Sequence, residues 1–401
     1  MSNIIEINDL PTLQNHRLLW QSLLPQTRGA SFFHSLDWFE QYWKHYGPEG
    51  TGVCQKMRIL VVHAAEKPIG ILPLVVRHES KLAGPQSWRT VRTLDYPLHD
   101  WGSSYGPIGR NPAATLLAGL GHIARTERDW DVIELASIDQ ETVDHGRTPR
   151  ALAQVGLQAT VQDHEQSARV VLDGGWEDYW ASRTSKHRNN VRRIEKKLAE
   201  QGEVEYVRYR PAGTAYGDDD PRWDLFETCL RVSRSSWQSE STDGTTLSHE
   251  SILPFLRDVH TTAVNRGALD INLLYLGSKA VAYSYNYIYN GYIFGLRMGF
   301  DASATTQGAG TALVHRSIQD SFERGDQIYD LGTGYLESKR RWWNALVTTK
   351  RYTHYPALEL KAQTLRWGRR LQGWVQQARA ARGGPKGSAG SKKQGTKAKS
   401  A

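Results

Sequence analysis

Cysteine is scarce in this chain of 401 residues: Cys54 and Cys229 stand far apart, with no Cys-x-x-Cys pair and no clustered histidines. That excludes a disulfide framework and leaves no metal site to expect, so both read as buried thiols. Long apolar runs are missing too. Nothing approaches the roughly 18 residues of a membrane span, and the opening MSNIIEINDLPTLQNH lacks the basic flank and apolar core of a secretory signal. A cytoplasmic protein is expected. Acidic residues vanish from one region, since Lys361 to Ala401 holds 11 Lys or Arg and no Asp or Glu. The net charge of +8 therefore sits at that end, and the remainder carries 39 basic against 42 acidic residues. A generally basic, nucleic-acid-coating body is excluded. The last stretch, GGPKGSAGSKKQGTKAKSA, has no apolar periodicity to repay the entropy of ordering, and 383–401 is expected to be a disordered basic tail.

What is present is abundant aromatic and apolar matter, 14 Trp, 18 Tyr and 39% hydrophobic residues, enough for two domains with real cores. One pattern recurs about two hundred residues apart. RILVVHAAEKPIGILPLVVR (58–77) and INLLYLGSKAVAYSYNYIY (271–289) are each two β-branched or aromatic runs around a short turn carrying Lys, the signature of a hairpin. A helix and an apolar strand follow both: PAATLLAGLGHIARTERD before WDVIELASI, and TALVHRSIQDSFERGD before QIYDLGTG. The reading is two copies of one α/β module, side by side, with 1–160 as the first and 161–356 as the second. Helices over LQNHRLLWQSLL and SLDWFEQYWKHYG, the latter capped by Ser35, would cover the first sheet. A long helix is expected over GWEDYWASRTSKHRNNVRRIEKKLAEQ, and further helices over DLFETCLRVSRSSWQ and SILPFLRDVHTTAVNRG.

In the second copy the strand GYIFGLRMGF runs into DASATTQGAGTA, where Gln307, Gly310 and Ala312 fall in the spacing Gln-x-x-Gly-x-Ala just before an amphipathic helix. A helix start exposes unpaired amides and partial positive charge, and residues without bulk let an anion approach closely. Phosphate is the natural guest; simple packing is the alternative use of such glycines. The first copy opens its helix with Asn111-Pro112, and proline offers no amide. That half is expected to lack a cofactor site. Its loop TLDYPLHDWGSSYGP, with Asp95, Tyr96, His99 and Asp100, either shapes an acceptor cleft or is an ordinary aromatic loop.

These residues resemble the GNAT acyltransferases, whose pyrophosphate turn is Gln/Arg-x-x-Gly-x-Gly/Ala between the fourth strand and the next helix. The order hairpin, strand, turn, helix, strand matches as well. The span from Phe32 to Pro356 looks like the two-module GNAT branch labelled BioF2-like or CelD-like, found near exopolysaccharide and cellulose genes and distantly related to the Fem peptidyltransferases. The carriers of that likeness are SKHRNNVRRIEKKLAEQG, QGAGTALVHRSIQDSFERG and YDLGTGYLESKRRWW. The resemblance implies an α/β protein of two tandem GNAT-like modules, each a mixed, mostly antiparallel sheet flanked by helices. It implies acetyl-CoA or another acyl-CoA as co-substrate, with pantetheine and pyrophosphate held by Leu296, Arg297, Met298 and Gly299 and by Gln307, Gly308, Ala309, Gly310 and Thr311. Where relatives have an aromatic-Lys pair, this chain has Ser338-Lys339.

Attack on a thioester needs the reactants held together, the carbonyl oxygen stabilised and one proton moved from nucleophile to sulfur. Asp330 is the candidate for orienting or deprotonating the acceptor, Lys339 for stabilising negative charge, and Tyr335 for donating a proton. Each has a structural rival: a turn cap for Asp330, a solvated helix face for Lys339, a packing role for Tyr335. Arg188, Arg192 and Lys196 recur every four residues opposite an apolar stripe. They mark either a solvated face or a grip on an acidic or phosphorylated acceptor. Over 357–382, a basic amphipathic helix places Trp367, Leu371, Trp374 and Val375 among arginines, either to lie on an anionic membrane or to pack onto the second module. The expected activity is acyl-CoA-dependent N- or O-acylation of a small-molecule or saccharide acceptor related to the cell envelope or exopolysaccharide, either free in the cytoplasm or at the inner face of the membrane. A Fem-like transferase using aminoacyl-tRNA and a non-catalytic partner of a polysaccharide synthase are the alternatives, and no other nucleic acid is expected.

Overall fold

The computed structural model describes residues 2–83, 85–98, 102, 104–236, 246–301, 303 and 308–382, with the side chains of 2, 86, 87 and 376–382 outside that description. Among the described residues the strands are β1 (Ser2–Ile7), β2 (Cys54–Ala64), β3 (Lys67–Ser80), β4 (Thr90–Asp95), β5 (Val132–Asp139) and β6 (Ala159–Val171). The second set is β7 (Val204–Tyr209), β8 (Leu269–Leu276), β9 (Lys279–Tyr289), β10 (Tyr292–Phe300), β11 (Ile328–Thr333) and β12 (Ala345–His354). Both expected hairpins form, as β2–β3 and β8–β9. Their apolar runs are buried along almost their whole length because helices cover both faces.

The two sets do not make two separate sheets. All twelve strands join in one, in the order β1-β2-β3-β4-β5-β12-β6-β11-β10-β9-β8-β7. Pairing is antiparallel throughout except for β4 with β5 and β10 with β11. The join is an exchange. β6, which ends the first half of the chain, pairs with β11 of the second, while β12, which ends the second, pairs with β5 of the first. β6 and β12 then pair with each other over Ala159–Arg169 and Ala345–His354. A division of the chain near residue 160 falls at the start of β6.

Packing across the middle follows. Phe32 and Phe33, from the N-terminal segment, meet Tyr287 of β9 and Phe294 of β10 with ring centroids 4.9 and 5.6 Å apart. One core cluster thus contains side chains of both halves. Aromatic pairs at these separations add about 0.5–1.5 kcal/mol each beyond area burial. Ser35 caps the Leu36–Tyr46 helix, accepting from the Trp38 amide at 3.1 Å. The single long helix expected from residue 175 is two, Trp176–Ser182 and Ser185–Ala199. Arg183 and Thr184 are extended between them, and Thr184 Oγ1 caps the second by accepting from the His187 amide. A threonine followed by three polar residues is a better helix start than a helix interior.

Candidate active site

The site begins where β10 and β11 part. They pair in parallel at only three positions, Tyr292 with Ile328, Ile293 with Tyr329 and Phe294 with Asp330. Beyond Phe294, β10 stays on β9, with a bulge between Gly295 and Arg297, while β11 stays on β6. Alternate backbone groups of Leu296–Gly299 therefore face a gap instead of a neighbouring strand. Two glycines set the fork. A Cβ on Gly295 would collide with the Asp330 carbonyl, and one on Gly332, whose φ is +77°, would lie 2.7 Å from the Gly295 carbonyl oxygen.

The Ala309–Glu323 helix starts beside this gap. A Cβ on Gly310 would sit 3.3 Å from the Phe300 ring, so the helix start abuts the end of β10. Gly308 adopts φ +95°, and its Cβ would meet Ile194 at 2.5 Å. Its bareness thus serves close packing on the Ser185–Ala199 helix. Among the described residues no hydrogen bond engages the amides of Gly308, Ala309, Gly310 or Thr311. They are first-turn donors of a fifteen-residue helix, which the helix itself leaves without a partner. Gln307 lies outside the described residues, as do His99 and Asp100.

Asp330 lies at the fork, 3% exposed, with its carboxylate saturated. Oδ1 accepts from Ser167 Oγ and from the Gly332 amide at 2.8 Å; Oδ2 accepts from Arg169 Nε at 3.0 Å and Tyr292 OH at 2.9 Å. Four donors fill the acceptor positions of a carboxylate. Arg169 continues to Asp139 of β5 at 2.9 Å and stands over the Tyr292 ring. One buried guanidinium on the exchanged strand therefore ties the two halves together. Burial works against the Arg169 charge, but Tyr292, Asp330 and Asp139 outweigh it and hold the group firmly protonated.

Lys339 reaches back into the fork from the short helix Leu336–Lys339. Its Nζ donates to the carbonyls of Gly332 at 3.0 Å and Thr333 at 2.6 Å. Burial brings its pKa down to about 8, Asp330 resists that shift and Arg297 adds to it. Tyr335 is 68% exposed, in the left-handed region with φ +45°.

The structure gathers Leu296, Arg297, Met298, Gly299, Gly308, Ala309, Gly310, Thr311, Asp330 and Lys339 around one fork. The cationic ladder stands differently. Arg188 spends its guanidinium on the carbonyls of Ala181 and Arg183, capping the preceding helix, whereas Arg192 and Lys196 are exposed and no ion pair engages them among the described residues. His315 is packed against Trp180 and bonded to Glu195 at 2.9 Å. Reading the sequence missed Ser167, Arg169, Tyr292 and Asp139. Arg169, between Ala168 and Val170 in an otherwise polar segment, offered only the weak signal of a charge within an apolar patch.

On the first half, a cavity is lined by Arg28, His34, Tyr105, Asp139, Asp144 and Arg147. The Ser31 amide donates to His34 Nδ1, so the neutral ring carries its proton on Nε2, and among the described residues the buried Tyr105 hydroxyl has no hydrogen-bond partner. Asp139 thus belongs both to this cavity and, through Arg169, to the Asp330 network.

Residues 185–340 match the family model of the acetyltransferase (GNAT) domain. No curated protein matches the chain. Among solved structures, FemX is similar with a TM-score of 0.55 at 11% identity, over 87% of this chain and 97% of that one. L-PGS from Bacillus licheniformis is similar at 0.51 and 13%, over 88% and 96%. A conserved protein of unknown function from Bacteroides thetaiotaomicron VPI-5482 is similar at 0.50 and 11%, over 88% and 100%. Residues 185–340 are thus similar to the acetyltransferase (GNAT) domain, within an α/β fold similar to those of FemX and L-PGS.

Proposed function

We propose that the protein transfers an acyl group, acetyl foremost, from coenzyme A to an amine or hydroxyl of an envelope or exopolysaccharide-related acceptor, in the manner of the BioF2-like or CelD-like branch. The observation that carries this reading is the fork of β10 from β11 with the amides of Gly308–Thr311, unengaged among the described residues, set against its open end. Those amides suit a diphosphate, and the edge of β10 over Leu296–Gly299, which no longer pairs with β11, suits the two amides of a pantetheine arm.

The acceptor's nitrogen or oxygen forms its bond to the acyl carbon, the carbon–sulfur bond breaks, and the acceptor's proton ends on the thiolate. A backbone amide near Met298 or Gly299 faces the carbonyl oxygen as charge builds. Lys339 supplies the mobile positive charge of the fork, and with a pKa near 8 it is poised to give or take a proton at neutral pH. Asp330 has no lone pair left for a substrate, so it acts as a positioning residue that fixes Gly332 and, through it, the carbonyl to which Lys339 donates. Tyr335, beside Lys339 and exposed, is the candidate donor to the departing sulfur. The acceptor docks in the first-half cavity ending at Asp139, with Arg192 and Lys196 available to an acidic acceptor.

Calorimetry with acetyl-CoA tests the reading. Micromolar binding that Gly310→Glu removes supports it. Absence of binding at millimolar acetyl-CoA overturns it and leaves the non-catalytic alternative, while acyl transfer only from charged tRNA installs the Fem-like one.

A further inference from the structure

The helix Leu360–Arg382 carries two apolar faces, and the fold uses only one. On the inner face Ala362 and Leu365 are buried against Val91 of β4 and Val132 of β5. Arg369 donates to Glu134 at 2.6 Å and to the Tyr355 hydroxyl at 3.1 Å, and Lys361 donates to the Thr90 carbonyl at 3.0 Å. These contacts lock the helix root to the first half of the sheet. At 3.6 residues per turn, Leu360, Trp367, Leu371 and Trp374 fall on the side opposite Ala362, Leu365 and Arg369. Leu360 is 71% exposed, Trp367 59%, Leu371 57%, Trp374 68% and Val375 49%. Two tryptophans and three aliphatic side chains thus form one continuous exposed stripe, too large and too ordered along a single face to be scattered surface residues.

Charge decides the occupant. The stripe is flanked by Arg366 and Arg370, and the Arg370 guanidinium stands 5.5 Å over the Trp367 ring. No acidic residue follows Glu359, and 11 Lys or Arg lie between Lys361 and the end of the chain. The rest of the chain is slightly acidic. A second copy would present the same positive charge to this face. A surface that is anionic outside and apolar just beneath accommodates both features, with indole rings at the level where water gives way to hydrocarbon.

We propose that this helix docks the protein peripherally on an anionic lipid bilayer, the Trp367–Trp374 stripe entering the headgroup boundary and the basic tail adding long-range attraction. The proposal is independent of the acyl-transfer reading, because the stripe shares no residue with the β10–β11 fork.

Co-sedimentation of the full chain with vesicles tests it, using phosphatidylglycerol mixed with phosphatidylcholine against phosphatidylcholine alone. Binding to the anionic vesicles, weakened about a hundredfold by the double substitution Trp367→Ser, Trp374→Ser, and weakened also by added salt, is the expected result. Trp374→Ser alone, at a side chain 68% exposed, keeps the test valid should the double variant fold poorly; thermal melting checks this. Equal sedimentation with neutral vesicles, no sedimentation with either, or a salt-stable dimer abolished by the same substitutions would each overturn the proposal. Tight binding to RNA in preference to the vesicles would do so as well.

Discussion

The two halves repeat one plan but finish their forks differently. In the first half β4 and β5 pair in parallel at Thr93–Val132 and Leu94–Ile133 and then part, as β10 and β11 do. The protein closes that opening with its own atoms. The Tyr105 amide donates to the Ser137 carbonyl at 3.1 Å, and Tyr96 and Tyr105 are buried there in mutual contact, ring centroids 5.2 Å apart. Its following helix begins with Pro112, which has no amide to offer. In the second half glycines occupy the fork, and the following helix presents donors to it. The carboxylates differ likewise. Glu134 of β5 is surrounded by three cations; burial works against its charge, but Lys81, Arg369 and Arg351 prevail and hold it down to about 2. Asp330 has one guanidinium, shared with Asp139, and an ammonium nearby that is free to titrate. The same plan is thus closed by side chains in one half and left open at glycines in the other.

The largest expected effect comes from Arg169→Met. It strands two buried carboxylates at once, which costs about 3–5 kcal/mol of unfolding free energy by urea titration at neutral pH. Next, Gly310→Glu puts a negative charge at the helix start and reduces acetyl-CoA affinity by about a hundredfold in calorimetry. Gly310→Ala, needing only a few tenths of an ångström from Phe300, retains binding, and Ala113→Glu at the equivalent helix start of the first half leaves affinity within about twofold. Equal losses from Gly310→Glu and Ala113→Glu would erase the distinction between open and closed forks.

Lys339→Met is expected to lower kcat by about tenfold with a smaller change in KM. If the charged form is the working one, wild-type activity falls as pH rises through about 8, and Lys339→Arg carries activity to higher pH. Stability moves the other way. The folded pKa lies near 8, below the ordinary 10.5. The unfolded chain therefore binds the extra proton between those values, and unfolding free energy rises with pH across that window. Lys339→Met flattens the slope. The smallest effect belongs to Arg369→Met, about 1 kcal/mol in the same urea experiment, because Glu134 keeps Lys81 and Arg351. A loss as large as that of Arg169→Met would mean that the two carboxylates are equally dependent on one cation.

Much of the fold was readable because local signals agreed with the tertiary outcome. The apolar runs of β2–β3 and β8–β9, the Ser35 cap and the helix after the glycine turn each carry their own pattern. β6 and β12 do not. ATVQDHEQSARVV and ALVTTKRYTH are polar and alternate weakly, and they are strands because each fills the edge left by the other half. No window of sequence contains that reason. The fork was legible through its glycines, although Gly308 turned out to face Ile194. The Arg169 network was not, since Arg169 and Asp330 lie 161 residues apart and meet only through the exchange.

That exchange also orders events during synthesis. Translation delivers β5 long before β12, so the first half leaves the ribosome with an unpaired edge, complete in sequence but not in hydrogen bonds. Its closure must wait for residues 345–354, some two hundred positions downstream. A ribosome stalled earlier would hold a nascent chain whose open strand invites improper partners, and the same dependence means that neither half, cut out on its own, inherits a finished border.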